Sequence, residues 1–293
     1  MRSKTIAYIM LILSMLIWGT LALFVNAIGY SSAEIVLARI ITGLAFLLIA
    51  YAFSKKKADR RSFFSQMPKM LISGAAMGLN WAALFASYRY VNASIAMLCY
   101  YIQPVFVMIG SIVFFRQRLS LWRAIGMAAA ISGMALVTTA VMGGSDPVRG
   151  VLLALASGAL YAGVVLSVKR LRGLSGLEIT IGQLCGALII MLPYALISHR
   201  GAWRAPELRE IACMAALGVV HTGCALYMYF SAIRRLSVQS VALLSYIDPL
   251  SALGFAALFL GDRLSIRQWI GAGLILGGAL LGELVRPKGD HSV

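Results

Sequence analysis

Apolar residues fill the chain in blocks, and short polar breaks, most of them basic, divide one block from the next. Roughly 20 mostly apolar residues carry a helix across the hydrocarbon core of a bilayer. Ten blocks reach that length, at about 5–28, 32–53, 69–88, 92–115, 121–142, 150–169, 177–198, 210–232, 237–260 and 267–285. The only sizeable connections are 54–68 and 199–209. The pattern predicts an all-α integral membrane protein of ten transmembrane helices with little room for a soluble domain.

Two blocks are interrupted by the same short motif. Tyr101-Ile102-Gln103-Pro104 lies in the fourth and Tyr246-Ile247-Asp248-Pro249 in the ninth. Proline lacks an N–H and clashes with the turn before it, so helix breaks are expected at Pro104 and Pro249, near mid-depth. The motif belongs to a longer repeat, because 92–136 aligns onto 237–281 without a gap. Leu98, Phe114, Arg118-Leu119-Ser120, Gly126 and Gly133 recur as Leu243, Phe259, Arg263-Leu264-Ser265, Gly271 and Gly278. Upstream, Phe85 and Arg89 match Phe230 and Arg234; weaker echoes pair Ser14 with Ser157, Trp18 with Tyr161 and Glu34 with Glu178. The chain divides into two units of five spans, 1–143 and 148–286, and a tail at 287–293. Five is odd, so the second unit enters the membrane upside down. Inverted repeats of this kind place a substrate site at discontinuous helices near the midplane, around a central cavity.

Composition agrees with a membrane chain: 61% of the 293 residues are hydrophobic and 12% charged, against about half and about a quarter in soluble domains. The net charge of +16 would suit nucleic acid, but the basic residues sit in short clusters between apolar blocks and no aromatic-basic motif for RNA or DNA accompanies them. That placement is the signature of cytoplasmic loops beside anionic lipid. With the N-terminus inside, eighteen Lys and Arg residues fall on the cytoplasmic side and seven outside, and Arg39 lies within a span. Both termini are therefore expected in the cytoplasm. The apolar run after Met1-Arg2-Ser3-Lys4 is longer than the ~7–15 residues of a signal-peptide core and reads as an uncleaved span. Cys99, Cys185, Cys213 and Cys224 lie inside apolar blocks without metal-ligand spacing, so free thiols, no metal site and no cofactor are expected.

Each unit closes on a similar pattern. Pro249 is followed by Leu260-Gly261-Asp262-Arg263-Leu264-Ser265 and by Gly271, Gly273, Gly277 and Gly278; Pro104 is followed by Phe115-Arg116-Gln117-Arg118-Leu119-Ser120. Together with Trp18-Gly19, these residues resemble the EamA-type transporters of the drug/metabolite transporter superfamily over nearly the whole chain. Gln117 stands where that pattern usually has an acid, and Asp262 is shorter than the usual one. The resemblance implies a ten-span carrier of a bacterial cytoplasmic (inner) membrane, not an enzyme, with spans 1, 3, 4, 6, 8 and 9 lining a central cavity and spans 5 and 10 peripheral. Many relatives export amino acids and similar metabolites; others carry nucleotide-like, vitamin or sugar-derived compounds.

Asp248 is the sharpest candidate residue. An aspartate at mid-bilayer costs on the order of 3 kcal/mol on insertion scales and is a functional-site hypothesis by default. Burial disfavours its charged form, so it could take up and release a proton, or pair with a substrate amine; the plain alternative is a cap on backbone freed by Pro249. Gln103, the neutral twin, can donate and accept hydrogen bonds without titrating, or can simply join helices. His221, near the middle of span eight, could relay protons or bond between helices. Arg39 could attract a substrate carboxylate, balance an acid, or snorkel to the interface.

Aromatic and hydrogen-bonding surface comes from Asn80 and Trp81, from Tyr101 and Tyr246 at the breaks, and from the matched pair Trp18 and Tyr161. Such surface suits an amphipathic ligand, though a single tyrosine is commonly belt or packing. Gly74-x3-Gly78, Gly273-x3-Gly277 and Gly278-x3-Gly282 are packing motifs. Gly173-Leu174-Ser175-Gly176 has the form of an intramembrane serine-protease motif, but it falls in a short basic loop, at another level from His221.

These readings predict a secondary carrier working by alternating access, coupled to protons and exporting amino acids or related small amphipathic metabolites. No Walker A motif is present to let this chain use ATP. An importer of a nucleoside-like, vitamin or sugar-derived solute is the second expectation. A lipid scramblase or an intramembrane enzyme is the third, from another class. Besides a small-molecule substrate, protons and the bilayer, the sequence names no partner and leaves monomer and homodimer both open.

Overall fold

The structure is a computed structural model. It describes residues 2–25, 27–54, 60–91, 93–137, 145–199, 204–259 and 265–284. Among these every regular element is helical. The first half runs α1 (Arg2–Gly19), α2 (Leu21–Val25), α3 (Ser32–Ala52), α4 (Arg60–Ser87), α5 (Ala93–Tyr100), α6 (Gln103–Phe115) and α7 (Leu121–Val137). The second runs α8 (Pro147–Arg170), α9 (Gly176–Ser198), α10 (Leu208–Ala216), a π-helical stretch (Leu217–Cys224), α11 (Ala225–Ile233), α12 (Val238–Leu244), α13 (Ile247–Phe259) and α14 (Ile266–Leu284). Eight helical segments are long and apolar enough to span a membrane, and two shorter apolar helices, Leu121–Val137 and Ile266–Gly282, complete the ten.

Polarity is inverted relative to a water-soluble protein. Large apolar side chains such as Ile41, Val113, Leu152 and Leu258 stand on the outside, while Ser14, Asn80, Ser157 and Gln183 are fully buried. Bilayer hydrocarbon offers the outer residues a matched solvent, and the polar ones find partners only inside. Gln183 donates to the Ser73 hydroxyl (2.8 Å), joining α9 to α4.

The helices pair about a pseudo-two-fold axis, and two details display it. Where α7 crosses α14, a Cβ on Gly126 would strike the Gly278 carbonyl, and one on Gly271 would strike the Gly133 carbonyl. Gly126 and Gly133 align with Gly271 and Gly278, so the second contact is the first one rotated. Only glycine permits so close a crossing. The antiparallel pair α3 and α9 repeats the theme. Both begin with a capping box, Ser31 with Glu34 and Ser175 with Glu178. At one end Glu34 meets His199, the residue after α9, at 2.8 Å; at the other, the Tyr51 hydroxyl near the end of α3 donates to Glu178 at 3.5 Å.

Several local expectations are corrected. The connection 54–68 is largely helix, because α4 starts at Arg60 and carries Pro68 within it; the hydrophobic block marks where lipid begins, not where the helix begins. Span one, Lys4–Val25, carries a one-residue turn at Thr20, where α1 ends and α2 begins. A Cβ on Gly273 or Gly277 meets nothing, so that glycine pair faces outward instead of packing inside the chain. Ser175 caps α9 and bonds Glu178, which accounts for the Gly-x-Ser-Gly sequence. The motif residues Leu260, Gly261, Asp262, Arg263 and Leu264, the basic stretch 55–57, the boundary at 138–144 and the tail 287–293 lie outside the described residues.

Candidate functional site

The two interrupted helices meet at the centre. Between α5 and α6 the backbone tightens instead of separating: the Tyr101 N–H bonds the Met97 carbonyl (2.9 Å) and the Ile102 N–H the Cys99 carbonyl (3.3 Å). Between α12 and α13 the Tyr246 and Asp248 N–H groups bond the Leu243 and Ser245 carbonyls, both at 3.3 Å. Pro104 and Pro249 fall in the first turn of the second half-helix. A proline there is missing only an N–H that the helix would not have used. Both half-helices thus point their positive ends at mid-depth, which favours a negative group. Asp248 occupies the first turn of α13.

A cavity of about 250 Å³ lies between these ends. Asp248, Gln103 and Tyr101 line it from the broken helices, and Trp18, Trp81 and Tyr161 from α1, α4 and α8. Arg39 of α3 and His221 of the π-helical stretch complete its polar wall. The lining residues of α1 and α2, Met15 to Ala22, come late in the first span, as do Met77 and Trp81 of α4 in theirs. The cavity therefore occupies the centre and the half of the bundle away from the start of α1. Beyond it, Tyr229 packs edge-on to Trp18 (ring centroids 5.1 Å) and stacks on Tyr161 (6.2 Å), forming an aromatic floor.

The charges on the wall are not spent on each other. Among the described residues no side chain donates to the Asp248 carboxylate. The Arg39 Nε donates to the Thr222 hydroxyl (3.1 Å), and no carboxylate partners the guanidinium among the described residues. The Gln103 side-chain oxygen is buried without a donor. A buried polar group left unpaired is costly, so an acid, a cation and an amide oxygen aimed at one small cavity describe a place for a polar solute. No group of three or more potential metal ligands exists among the described residues.

The family model for EamA-like transporters matches the chain twice, over residues 5–139 and 148–282. The chain belongs to the EamA-like transporter family. Its relatives in that family include an uncharacterized transporter, YxxF, of Bacillus subtilis, 26% identical over 100% of this chain and 94% of that protein. Another is a Streptantibioticus cattleyicolor protein named "Probable terminal-alkyne amino-acid exporter", 27% identical over 92% of this chain and 91% of that protein. A crystal structure with 18% identity superposes with a TM-score of 0.84 over 97% of this chain and 98% of its own, a likeness of fold. As an EamA-type transporter, the protein is a multi-pass membrane carrier of small molecules.

In this EamA-type chain eight of the candidate residues share the cavity: Trp18, Arg39, Trp81, Tyr101, Gln103, Tyr161, His221 and Asp248. Asn80 and Tyr246 do not line it. Asn80 is fully buried and ties α4 to α8, its amide donating to the Ser157 carbonyl (2.7 Å) and hydroxyl (2.8 Å). Tyr246 is fully buried with its hydroxyl unpartnered, on the far side of the α12–α13 turn. Tyr100 and Ser245 line the cavity in its place, one position before the two aligned tyrosines. Tyr100 is itself one of the aromatic residues the sequence offers, and the repeat pairs Ser245 with it, a signal that would have found the serine.

Proposed function

We propose that this carrier moves small zwitterionic metabolites, amino acids and their close analogues, outward across the membrane in exchange for protons. One observation carries the reading: an aspartate and an arginine, each without a partner of opposite charge among the described residues, line a single cavity of about 250 Å³. The substrate ammonium pairs with Asp248 and accepts help from the Gln103 oxygen; the substrate carboxylate pairs with Arg39, whose planar fork suits it. The volume falls just below the ~300–1,000 Å³ typical of drug-sized ligands, which favours an amino-acid-sized solute over a nucleoside.

Exchange follows from the same carboxylate. Asp248 holds the ammonium while the cavity faces the cytoplasm. When the cavity faces outward, a proton replaces the substrate and neutralises Asp248, and the protonated carrier returns. The bare carboxylate does not cross the midplane, because an unneutralised charge there is expensive. Net flux then needs a proton for each returning carrier, whereas exchange of substrate for substrate does not. The outward direction takes support from the amino-acid exporter among the relatives. Cytoplasmic termini and an inner-membrane location take support from the placement of Lys and Arg.

Proteoliposomes test this directly. Labelled amino acids should move on imposing a pH gradient, and the Arg39→Gln variant should lose that movement while remaining folded by melting temperature. A carrier that moves neutral sugars or nucleosides and ignores amino acids in this assay defeats the reading.

A further inference from the structure

A second hollow of about 310 Å³, more open than the first, lies against the outside of span one. It is lined almost wholly by apolar side chains, among them Leu13, Leu16, Phe24, Val220 and Phe255. Leu13, Leu16 and Val220 are 44%, 37% and 41% exposed, so the hollow opens sideways, at bilayer depth, between α1 and the π-helical stretch. His221 belongs to its wall and also to the wall of the central cavity. His221, 2% exposed, is the residue that the two linings share.

The wall around it is built from irregular backbone on both sides. On the α1 side Thr20 sits in the gap between α1 and α2, and its hydroxyl donates to the Ile17 carbonyl (2.7 Å). Its oxygen is left to accept from His221 Nε2, 2.9 Å away. On the other side the backbone runs as a π-helix for eight residues, and the His221 carbonyl takes the Trp18 indole N–H (2.8 Å). The Phe24 ring stands edge-on to the imidazole at 5.0 Å between centroids. A helix break and a π-helical stretch are each local departures from the regular hydrogen-bond ladder, and π-helical turns concentrate at functional positions. Here they meet at two hydrogen bonds; the one from Trp18 holds the His221 backbone, so among the described residues the imidazole itself is tied only to Thr20.

We infer that Thr20 and His221 form a side door through which the central cavity continues into this lateral groove, and that the groove takes the unbranched alkyl side chain of a transported zwitterion. The inference rests on the zwitterion reading and adds to it the class of side chain. The central cavity, about 250 Å³, holds the charged head, and the apolar hollow that adjoins it at His221 is the surface that suits a tail too long for that cavity. An apolar groove at bilayer depth lets such a tail stay out of water through the transport cycle, at no penalty against the lipid outside.

The test measures binding of straight-chain 2-amino acids, from 2-aminopropanoic to 2-aminodecanoic acid, to the full chain in lipid nanodiscs. Affinity should rise about 3- to 4-fold per added methylene through the longer homologues. Val220→Trp fills the groove from a lipid-facing position; it should abolish that gain and leave the binding of 2-aminopropanoic acid unchanged. Leu16→Trp, from the opposite wall, should do the same and guards against a folding defect in the first variant. Affinity independent of length overturns the groove while leaving the zwitterion reading intact. A length gain that survives both variants overturns it too, since the tail then lies in the bilayer and the groove is left to lipid chains. Absence of binding at every length removes the zwitterion reading and the groove with it.

Discussion

Gln103 and Asp248 hold the same position in the two repeats and face one cavity from the first turns of α6 and α13, yet only one of them carries charge. The repeats also differ one span earlier. In the first, α4 is α-helical without interruption from Arg60 to Ser87; in the second, the matching span passes through the π-helical stretch that holds His221. The features that agree between halves are those that set backbone distance: the breaks, the capping boxes and the glycines of the α7–α14 crossing. The features that diverge are side chains on the cavity wall and the π-helical backbone that carries one of them. Duplication supplied a symmetric frame, and the chemistry resides in departures from that symmetry.

The comparison breaks most decisively at the motif itself. Asp248→Asn removes both the proton site and the partner of the substrate ammonium, so it should lower pH-gradient-driven flux and substrate exchange alike by roughly 10- to 100-fold, the effect of losing a hydrogen bond to a charged group. Gln103→Ala should lower both activities by only about 2- to 10-fold, as expected for a neutral hydrogen bond. Equal losses in the two variants would show that the halves share one role. The exchange variant, Asp248→Gln with Gln103→Asp, sharpens the point. If position around the axis matters less than the presence of one acid, gradient-driven flux should return in part.

Much of the frame was legible because it is written in backbone chemistry. Proline marks the breaks and glycine the close crossing, each by a local rule that survives folding; the Ser-x-x-Glu starts of α3 and α9 obey such a rule too, though in the sequence alone Ser175 stands out only for its likeness to a protease motif. The side-chain directions around the breaks were not legible in the same way. Tyr246 and Ser245 are adjacent, but the turn between α12 and α13 sends the serine to the cavity and buries the tyrosine. Asn80 and Trp81 divide likewise, the amide going to Ser157 and the indole to the cavity. The π-helical stretch left no apolar signature at all. Its nearest trace is Gly218, where a Cβ would strike Thr42, so the distortion reflects the approach of α3, a tertiary fact absent from the local sequence.

The α7–α14 crossing gives a prediction on stability. Gly126→Leu and Gly271→Leu insert bulk at symmetry-related points against a backbone carbonyl, and each should lower stability by about 1–3 kcal/mol. The two drops in melting temperature should match, since the contacts are images of each other. Gly273→Leu, two residues along α14, meets nothing within the chain and should leave the melting temperature in place. Unequal losses at Gly126 and Gly271 would mean that the crossing is not symmetric under load. A large loss at Gly273 would mean that this outward face is covered, as by a second copy.

The smallest expected difference lies at the ends of α3 and α9. Removing a serine N-cap costs about 0.5–2 kcal/mol, and by symmetry Ser31→Ala and Ser175→Ala would cost the same. Their surroundings argue otherwise. Glu34 is partly exposed, and water replaces whatever the cap withdraws from it. Glu178 is fully buried and receives both the Ser175 N–H (2.7 Å) and the Ser175 hydroxyl (2.9 Å) on one oxygen. Taking the hydroxyl away leaves a buried carboxylate one donor short, a penalty that water does not repair. Ser175→Ala should therefore fall at the upper end of that range and Ser31→Ala at the lower, read as a larger drop in melting temperature for the first. Identical drops would place the Glu178 carboxylate in contact with water and return the two ends to equivalence.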